Sequence, residues 1–363
     1  MRKKFKILVA IVLIFTVTAL FIQGCSLKPS AWSPPTAPAF EGELALNSTL
    51  QQSDWLHLNG WYGPEDFAYD TAGNIYCGVH AGADQFSPGA ILKISKDGVV
   101  TEYLRTPSWV SGIQFNTNNE LIALIHGTGL VRIRSQKAID TLVTEVEGNE
   151  KLMAGSGLDI ARDGKIYFAN LSSDATMSTR YLEKLILEHR RQGGVYCYDP
   201  ISRKTTTISE GNYFANGVAL SRKEDYLLVS ETTKYRIVRY WLTGEKAGTE
   251  DIFLDNLPGF PNNITRRPNG NFWVGYTTKR NAQLDKIHSN KEMKRLVYAL
   301  PSFLKPKAEP FGMIIEYAPD GTMVKAFYDP EGKLVAEAGA VTEFEGKLYI
   351  GGDAAAGVVV FEL

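Results

Sequence analysis

Residues Asn212–Trp273 read NYFANGVALSRKEDYLLVSETTKYRIVRYWLTGEKAGTEDIFLDNLPGFPNNITRRPNGNFW. Four short apolar runs in this stretch are separated by charged turns or by Gly, Pro and Asn, as is typical of antiparallel hairpins. They predict strands at Gly217–Leu220, Tyr226–Ser230, Ile237–Leu242 and Asp251–Leu254. The inner runs are apolar at nearly every position, which indicates strands that are covered on both faces.

The same unit, a short strand followed by a polar turn and an apolar-aromatic strand, occurs six times. Its copies begin at Glu65, Gly112, Gly157, Asn216, Asn263 and Ala340. A spacing of roughly 45 residues is that of propeller blades. The sixth copy has only three strands, so we expect a strand within Glu41–Leu58 to supply its outer edge and close the ring. The sequence therefore predicts an all-β fold, a six-bladed β-propeller at residues 41–363.

Two insertions break the repeat, at Ser173–Gln192 and Thr277–Pro310. The first has apolar side chains at helical spacing, and the second contains a further helical pattern. Each follows the second strand of a repeat, which places it at the end of the ring where the innermost strands begin. The two helical insertions either form a lid over the central mouth or only pack on the surface, and the sequence favours neither.

The N-terminus has the order of an export signal. Four basic residues precede the apolar run Ile7–Ile22, which ends in Gln23-Gly24-Cys25. Cys25 after Gly24 resembles the lipobox of bacterial lipoproteins, whose cysteine is lipidated, and an uncleaved signal anchor is the alternative. Both place the rest of the chain outside the cytoplasm, on the periplasmic or cell-surface side, anchored to the membrane. Residues 1–25 are thus predicted as signal and lipobox, and the Pro-rich residues 26–40 as an extended tether.

Composition excludes several classes of protein. A formal net charge of -1 offers no basic field for nucleic acid. Three cysteines are too few for a disulfide scaffold. Cys77 and Cys197 fall in strands of different repeats, and we expect both to be buried free thiols. Phosphate-loop, nucleotide-binding, serine-elbow and zinc-binding patterns do not occur in the sequence.

The amino-acid sequence of residues 212–273 is similar to that of a known family. The segments YFANGVALS, SETTKYRIVRYWLTGEKAG and DNLPGFPNNI resemble the strictosidine synthase-like family, which includes proteins like the adipocyte plasma membrane-associated protein. A more distant resemblance is to the gluconolactonase/senescence-marker and paraoxonase propellers. The resemblance covers about Gly63–Leu363 and also implies a six-bladed propeller.

The metal-dependent relatives hold one calcium ion in the central tunnel, and the resemblance transfers their ligands only in part. Glu65 and Asn216 match two ligands, and Asn263 matches the asparagine of the fifth blade. Asn262 stands where the relatives carry aspartate, and Ser156 where they carry asparagine. Calcium affinity rises with the number of charged ligands. We therefore expect calcium at Glu65, Asn216, Asn262 and Asn263 to bind weakly or not at all.

Histidine is the usual proton-transfer group near neutral pH. His80 and His126 each follow the second strand of a repeat, where they would face the mouth near Glu65, Ser111 and Ser156. The alternative for each is a loop histidine that is satisfied by backbone hydrogen bonds.

Two family features do not align with this chain. Paraoxonase-type enzymes carry a histidine where this chain has Ser111, and the glutamate of the sixth blade in plant strictosidine synthases has no clear counterpart. Amine–aldehyde condensation is therefore not expected. Glu231 also ends a second strand, where it either faces the mouth as an acid or base or pairs with Arg236 or Arg239. We favour the ion pair.

Two functions remain open. The first is an exported hydrolase for a small ester or lactone at the tunnel mouth, in which Glu65 activates water with help from His80 or His126. In that case Asn216 and Asn262 polarise the carbonyl or hold a weak cation. The second is a non-catalytic propeller of the cell envelope that binds a ligand or protein. One fold hosts many functions, so the fold does not decide between them.

Overall fold

The protein is a six-bladed β-propeller, as the repeats predict. The computed structural model describes Phe5 and residues 23–82, 85–172 and 179–363. Six four-stranded antiparallel sheets surround one axis, and their innermost strands contact one another in a closed ring. The apolar run Ile7–Ile22 lies outside the described residues. Among the described helices, none combines the length and the apolar character that crossing a bilayer requires.

The strands follow one another from the axis outward in each blade. Blade 1 contains Phe67–Tyr69, Ile75–Gly82, Gln85–Ile94 and Val100–Thr106. Blade 2 contains Val110–Phe115, Leu121–Ile125, Gly129–Ser135 and Ala138–Val143. Blade 3 contains Gly155–Ile160, Ile166–Asn170, Gly193–Asp199 and Lys204–Asn212. Blade 4 contains Ala215–Leu220, Tyr226–Glu231, Arg236–Trp241 and Glu250–Leu254. Blade 5 contains Gly259–Arg266, Phe272–Lys279, Gly312–Tyr317 and Met323–Asp329. Blade 6 contains Ala340–Phe344, Lys347–Gly351 and Gly357–Glu362, with Asp54–His57 outside them. A two-stranded ribbon, Glu145–Val146 with Glu150–Lys151, joins blades 2 and 3.

The N-terminal strand closes the ring. Asp54–His57 pairs antiparallel with the last strand of the chain, so that Asp54 lies opposite Val360 and His57 opposite Gly357. The strand expected within Glu41–Leu58 is thereby confirmed. Because both ends of the chain share one sheet, the first and last residues of the propeller are tied by a ladder of backbone hydrogen bonds.

The core lies between neighbouring blades, so each inner strand is covered on two faces. In blade 4, Ala215–Leu220 and Tyr226–Glu231 are buried at every position. Gly217 permits close approach of blade 5, because a Cβ atom there would lie 2.5 Å from the carbonyl oxygen of Asn262. Asp159 crosses between blades, and its Oδ2 accepts a hydrogen bond of 2.8 Å from the backbone N–H of Leu220.

Three helices form the two insertions on the mouth side. Helix α1 is Thr179–Glu188, α2 is Ala282–His288 and α3 is Lys291–Ala299, and α1 packs against α3. Both predicted helices are confirmed, and residues 173–178 lie outside the described part. Asn281 and Asn290 cap α2 and α3 by accepting backbone N–H bonds in the first turn of each helix.

The segment predicted as a tether packs on these insertions. Residues 27–39 form no helix or strand. The Trp32 ring stacks on His189 with ring centroids 4.2 Å apart, and the backbone N–H of Lys28 donates to Glu188 at 2.8 Å. Cys77 and Cys197 are buried and free, as predicted.

Candidate active site

Polar side chains from the innermost strands meet at the mouth of the ring. The Ser111 hydroxyl donates to the carbonyl of Gly155 at 2.6 Å, which joins blades 2 and 3. The Ser156 hydroxyl donates to Asn216 Oδ1, which joins blades 3 and 4. Asn216 Nδ2 in turn donates to the Thr232 hydroxyl at 3.2 Å. Ser111, Ser156 and Asn216 therefore serve first as hydrogen-bonded links between blades.

The two asparagines of blade 5 have different surroundings. Asn263 Nδ2 donates to the backbone carbonyl of Glu65 at 2.5 Å, so blade 5 reaches blade 1 directly. Asn262 Nδ2 donates to the Thr277 hydroxyl at 3.1 Å. Asn262 Oδ1 is buried and has no hydrogen-bond partner among the described residues. Asn262 therefore keeps a buried acceptor that another group can use.

Three carboxyl groups gather beside Asn262. Glu337 Oε1 accepts the backbone N–H of Asp353 at 3.0 Å, and Oε2 accepts that of Ala354 at 3.2 Å. Burial raises the pKa of Glu65 well above its usual value, and the nearby Asp353 and Glu337 carboxyl groups raise it further. Burial and Asp353 raise the pKa of Glu337 to about 8. We name Glu65, Glu337 and Asp353 the carboxyl cluster. The raised pKa values of Glu65 and Glu337 favour the protonated forms of these two carboxyl groups.

The two predicted histidines flank an aromatic stack. The Phe86 and Trp109 rings are parallel, with centroids 4.9 Å apart, and His80 and His126 each meet Trp109 edge-on at 5.1 Å. His80 Nε2 donates to the carbonyl of Asp353 at 2.8 Å, and His126 Nε2 donates to the carbonyl of Gly155 at 3.0 Å.

Only His80 contacts a residue of the carboxyl cluster through these hydrogen bonds, because His126 donates to Gly155. His80 fixes the loop that carries Asp353 through that residue's carbonyl oxygen. Burial lowers the pKa of His126 to about 4, so its ring is neutral at pH 7. Both ring contacts to backbone match the alternative of a histidine that is satisfied by backbone hydrogen bonds.

A cavity of about 310 Å³ opens at the mouth between blades 5 and 6. Its walls are mainly apolar, and they include Trp55, Pro310, Leu334, Val335, Ile350 and Val359. The polar side chains on its walls are Thr277, Thr278, Glu309 and Glu337. Glu309 forms an ion pair with Lys279 at 2.7 Å and is largely exposed. Glu337 is thus the partly buried carboxyl group that a molecule in this cavity can reach.

The second insertion borders this cavity. Ala308, Glu309 and Pro310 lie on its wall, and the Thr278 hydroxyl donates to the carbonyl of Glu309 at 2.8 Å. The first insertion packs on α3 and the N-terminal segment, away from the residues that line the cavity. This arrangement makes residues 308–310 the part of the insertions that is placed to cover a bound ligand.

The residues carried over from the calcium-binding relatives do not fit an ion as they stand. Asn216 Oδ1 already accepts a hydrogen bond, whereas Asn263 donates through Nδ2 and keeps its Oδ1. Among residues 23–82, 85–172 and 179–363, no group of three or more His, Cys, Asp or Glu side chains is arranged to hold a metal. Glu65, Asn262 and Asn263 contribute the remaining oxygens, and three such side chains fall short of the six to eight ligands that calcium takes.

None of the site residues predicted from the sequence is among those that line the cavity. Glu231 and Cys25 also lie apart from the carboxyl cluster. Glu231 is buried and pairs with Arg236, whose Nε lies 2.5 Å from Glu231 Oε2, and it also accepts the backbone N–H of Tyr213 at 3.0 Å. This is the pairing that we favoured over a role at the mouth. Cys25 is exposed and free at the N-terminal edge of the described fold.

No role was predicted from the sequence for Glu337 or Asp353. Glu337, Glu343 and Glu345 lie close to the position of the sixth-blade glutamate of plant strictosidine synthases, but their register does not match it. Glu337 lies three residues before the innermost strand of blade 6, much as Glu65 lies two residues before that of blade 1. A glutamate at this position before an innermost strand could have identified Glu337 as a candidate site residue. Asp353 lies in a turn of small residues, GGDAAAG, which carries no sign of a site.

Comparison with known proteins gives a consistent family. Residues 156–245 match the family described as Strictosidine synthase, and residues 42–83 match Strictosidine synthase-like, N-terminal. The adipocyte plasma membrane-associated protein of Gallus gallus is 30% identical over 377 residues, covering 96% of this chain and 87% of that protein. Strictosidine synthase-like 3 of Arabidopsis thaliana is 27% identical, covering 91% and 90%.

Solved structures share the fold at low identity. A gluconolactonase of Xanthomonas campestris superimposes with a TM-score of 0.60 at 17% identity, covering 93% of this chain and 97% of that one. The calcium-binding protein regucalcin of Agrobacterium tumefaciens gives a TM-score of 0.57 at 12% identity, covering 85% and 93%. At these identities the likeness concerns the propeller alone.

Proposed function

Because the chain belongs to the strictosidine synthase-like family of six-bladed propellers, we propose that it hydrolyses a small ester or lactone at the tunnel mouth. The observation that carries this proposal is the position of Glu337. Its carboxyl group faces an apolar cavity of about 310 Å³ that would hold a small uncharged substrate. A pKa of about 8 gives this carboxyl group the proton affinity that a general base needs near neutral pH.

In the proposed reaction the Glu337 carboxylate takes a proton from a water molecule as the water oxygen attacks the substrate carbonyl carbon. The carbonyl electron pair moves to its oxygen, and collapse of the tetrahedral intermediate breaks the bond to the alkoxide. The proton on Glu337 then passes to that alkoxide. The products are a carboxylic acid and an alcohol, or one hydroxy acid when the substrate is a lactone.

Neighbouring groups support this role. The Thr277 hydroxyl lines the cavity and accepts a hydrogen bond from Asn262, so its own proton can be directed at the substrate carbonyl oxygen. The raised pKa of Glu65 favours its protonated form, which limits the negative charge next to Glu337. His80 positions the Asp353 loop whose N–H groups hold Glu337. In this scheme Glu65, His80 and His126 act through other residues.

The test is a panel of aryl esters, alkyl esters and lactones with the wild-type protein, Glu337→Gln and Glu309→Gln. General-base loss costs about 100-fold or more in kcat/KM, so Glu337→Gln should lose turnover to that extent. Glu309→Gln is the matched control, because it changes a second glutamate of the same cavity that is already paired with Lys279. Equal activity of all three proteins would remove Glu337 from the mechanism.

The competing function is ligand binding without chemistry. Two hydrogen bonds favour this function. His126 donates to a backbone carbonyl and Ser156 donates to Asn216, and these bonds leave the two side chains no catalytic contact in the described structure. Absence of turnover across the panel, together with saturable binding of an uncleaved ester, would support this reading.

We also propose that the N-terminus anchors the protein to a membrane on its outer side. The basic residues before the run Ile7–Ile22 and the exposed Cys25 after it support this placement. Metabolic labelling with a palmitate analogue tests the lipoprotein form. The wild-type protein should take up the label and Cys25→Ala should not, whereas an unlabelled membrane-bound wild type would indicate an uncleaved anchor.

A further inference from the structure

Helix α3 and the turn that follows it expose a cluster of large apolar side chains. Phe303 is 77% exposed, Leu304 57%, Leu296 53% and Met293 42%. No segment of the described chain covers them. Contiguous exposed apolar groups of this size mark a surface that binds something. We name these four residues the apolar patch.

Helix α3 departs from an ordinary surface helix at three positions, Met293, Lys294 and Leu296. Lys294 points inward and is fully buried, and its Nζ donates to the carbonyl of Ser30 at 2.7 Å. Val297 and Tyr298 are buried beside it, while Leu296 and Met293 face solvent. Burying an ammonium group while exposing leucine is costly unless the outward face meets an apolar medium.

The N-terminal segment reaches this helix. Gln23 Nε2 donates to the carbonyl of Tyr298 at 3.0 Å, and Gly24 lies against Arg295, whose carbonyl would be 3.1 Å from a Cβ atom at that glycine. Gln23 directly follows the apolar run Ile7–Ile22. The point at which that run joins the fold is therefore fixed next to the apolar patch.

The surrounding charge suits an anionic surface. Residues 291–307 contain five basic residues and one acidic one, but Lys294 is buried, Lys305 pairs with Glu183 and Arg295 pairs with Glu292. Lys291 and Lys307 are exposed at the two ends of this segment. Basic groups beside apolar ones are the pattern of segments that lie in the headgroup region of a bilayer.

We propose that the apolar patch is a membrane-docking surface, which lays the mouth side of the propeller on an anionic bilayer beside the N-terminal anchor. The proposal rests on the anchoring proposed above and is independent of the hydrolase reaction. The bilayer is favoured over a protein partner because the proposed anchor, either the uncleaved run Ile7–Ile22 or a lipid on Cys25, joins the fold beside α3. Docking adds a second contact, and two weak contacts together give stable attachment.

The test uses the full chain in vesicles with one added cysteine that carries an environment-sensitive fluorophore. Phe303→Cys places the probe in the apolar patch. Ile201→Cys is the matched control, because Ile201 is 87% exposed and lies in the turn between the third and fourth strands of blade 3, at the opposite end of the propeller. The parent protein, treated with the same fluorophore, gives the baseline for any label at Cys25 when that residue carries no lipid, since Cys77 and Cys197 are buried.

In vesicles of phosphatidylcholine with phosphatidylserine, we expect the probe at position 303 to shift to shorter wavelength and to lose severalfold of its quenching by aqueous iodide. The probe at position 201 should stay as in water. Flotation of the vesicles separates the two proposals. Protein that does not float contradicts the anchor, and protein that floats with an aqueous signal at position 303 overturns docking.

A second variant tests the charge. Lys291→Glu with Lys307→Glu should abolish the dependence of the position-303 signal on phosphatidylserine without changing flotation. An unchanged dependence in this variant would contradict the role given to the basic residues, and a patch signal that appears in pure phosphatidylcholine only would contradict the anionic surface.

Discussion

Glu337 Oε1 accepts a hydrogen bond of 3.0 Å from the backbone N–H of Asp353, while the Asp353 side chain raises the pKa of the same glutamate. One residue thus supports the Glu337 carboxylate through its backbone and opposes it through its side chain. Burial also disfavours the charged form of Glu337, and together with Asp353 it raises the pKa of this carboxyl group to about 8. This balance leads to the first prediction.

Glu337→Gln should gain stability relative to the wild type as pH rises. The pKa of Glu337 is raised from 4.5 to about 8 in the folded protein. Its contribution is therefore fully present below pH 4.5 and is lost as pH rises through about 8. The melting temperature of the variant minus that of the wild type should become more positive between pH 5 and pH 9. Glu309→Gln should show no such trend, and a flat difference for Glu337→Gln would contradict the buried state of this carboxyl group.

Acid should loosen the N-terminal segment. Burial, His288 and nearby cations lower the pKa of His189 to about 2, and burial lowers that of His288 to about 3. Both are below the ordinary value of 6.5, so the stability that they contribute is present above pH 6.5 and is lost as pH falls. Residues 28–40 should therefore exchange amide hydrogens faster, after correction for intrinsic rates, at pH 5 than at pH 7.

His189→Phe is the variant that isolates this effect. Phenylalanine keeps an aromatic ring against Trp32 and Tyr213 but cannot be protonated. The acid sensitivity of residues 28–40 should shrink in this variant. An unchanged response to pH would assign the loosening to other groups that face the histidines, such as Lys234, Lys294 or Glu188.

Arg236→Ala should strongly destabilise the protein. Glu231 is 2% exposed, and removal of Arg236 leaves its carboxylate buried without its cation. Breaking a buried pair in this way costs about 3 kcal/mol or more. Arg134→Ala is the control, because Arg134 pairs with Asp140 on the surface, where a pair contributes about 1 kcal/mol or less. Chemical denaturation measures both, and equal losses would contradict the assignment of Glu231 to a structural pair.

Calcium should have little effect on thermal stability. An ion bound with a dissociation constant of 10 μM would add about 2.7 kcal/mol at 1 mM calcium, which is a readily measured shift. The engaged oxygen of Asn216 and the missing aspartate at Asn262 predict a much smaller one. A rise of several degrees at 1 mM calcium that disappears in Glu65→Gln would instead establish a metal site in the tunnel.

The fold was predictable because its signals are local and repeated. Runs such as Tyr226–Val229 are apolar on consecutive positions, as a strand that is covered on both faces requires, and six copies of the repeat predict the blade number. The closing strand Asp54–His57 followed from the missing fourth strand of blade 6. The helix boundaries and the packing of Trp32 on His189 depend on tertiary contacts that no local pattern encodes.

The candidate site was predictable only in part. Glu65 and Asn262 were found because they stand at ligand positions of the calcium-dependent propellers that the sequence resembles. Glu337 and Asp353 were missed because their importance comes from convergence of two loops of blade 6 on Glu65, a contact between residues nearly 300 positions apart in sequence. The histidines were placed at the mouth correctly in topology, but their hydrogen bonds to backbone carbonyls depend on neighbouring blades.

The most direct test of the account is the pH dependence of kcat/KM for the best ester or lactone substrate. If Glu337 is the base, kcat/KM of the wild type should rise with pH and level off above about 8, because the carboxylate is the active form. Glu337→Gln should lose both the activity and the titration, while Glu309→Gln keeps both. A wild-type profile without a titration near this pH, or one that Glu337→Gln leaves intact, would contradict the account.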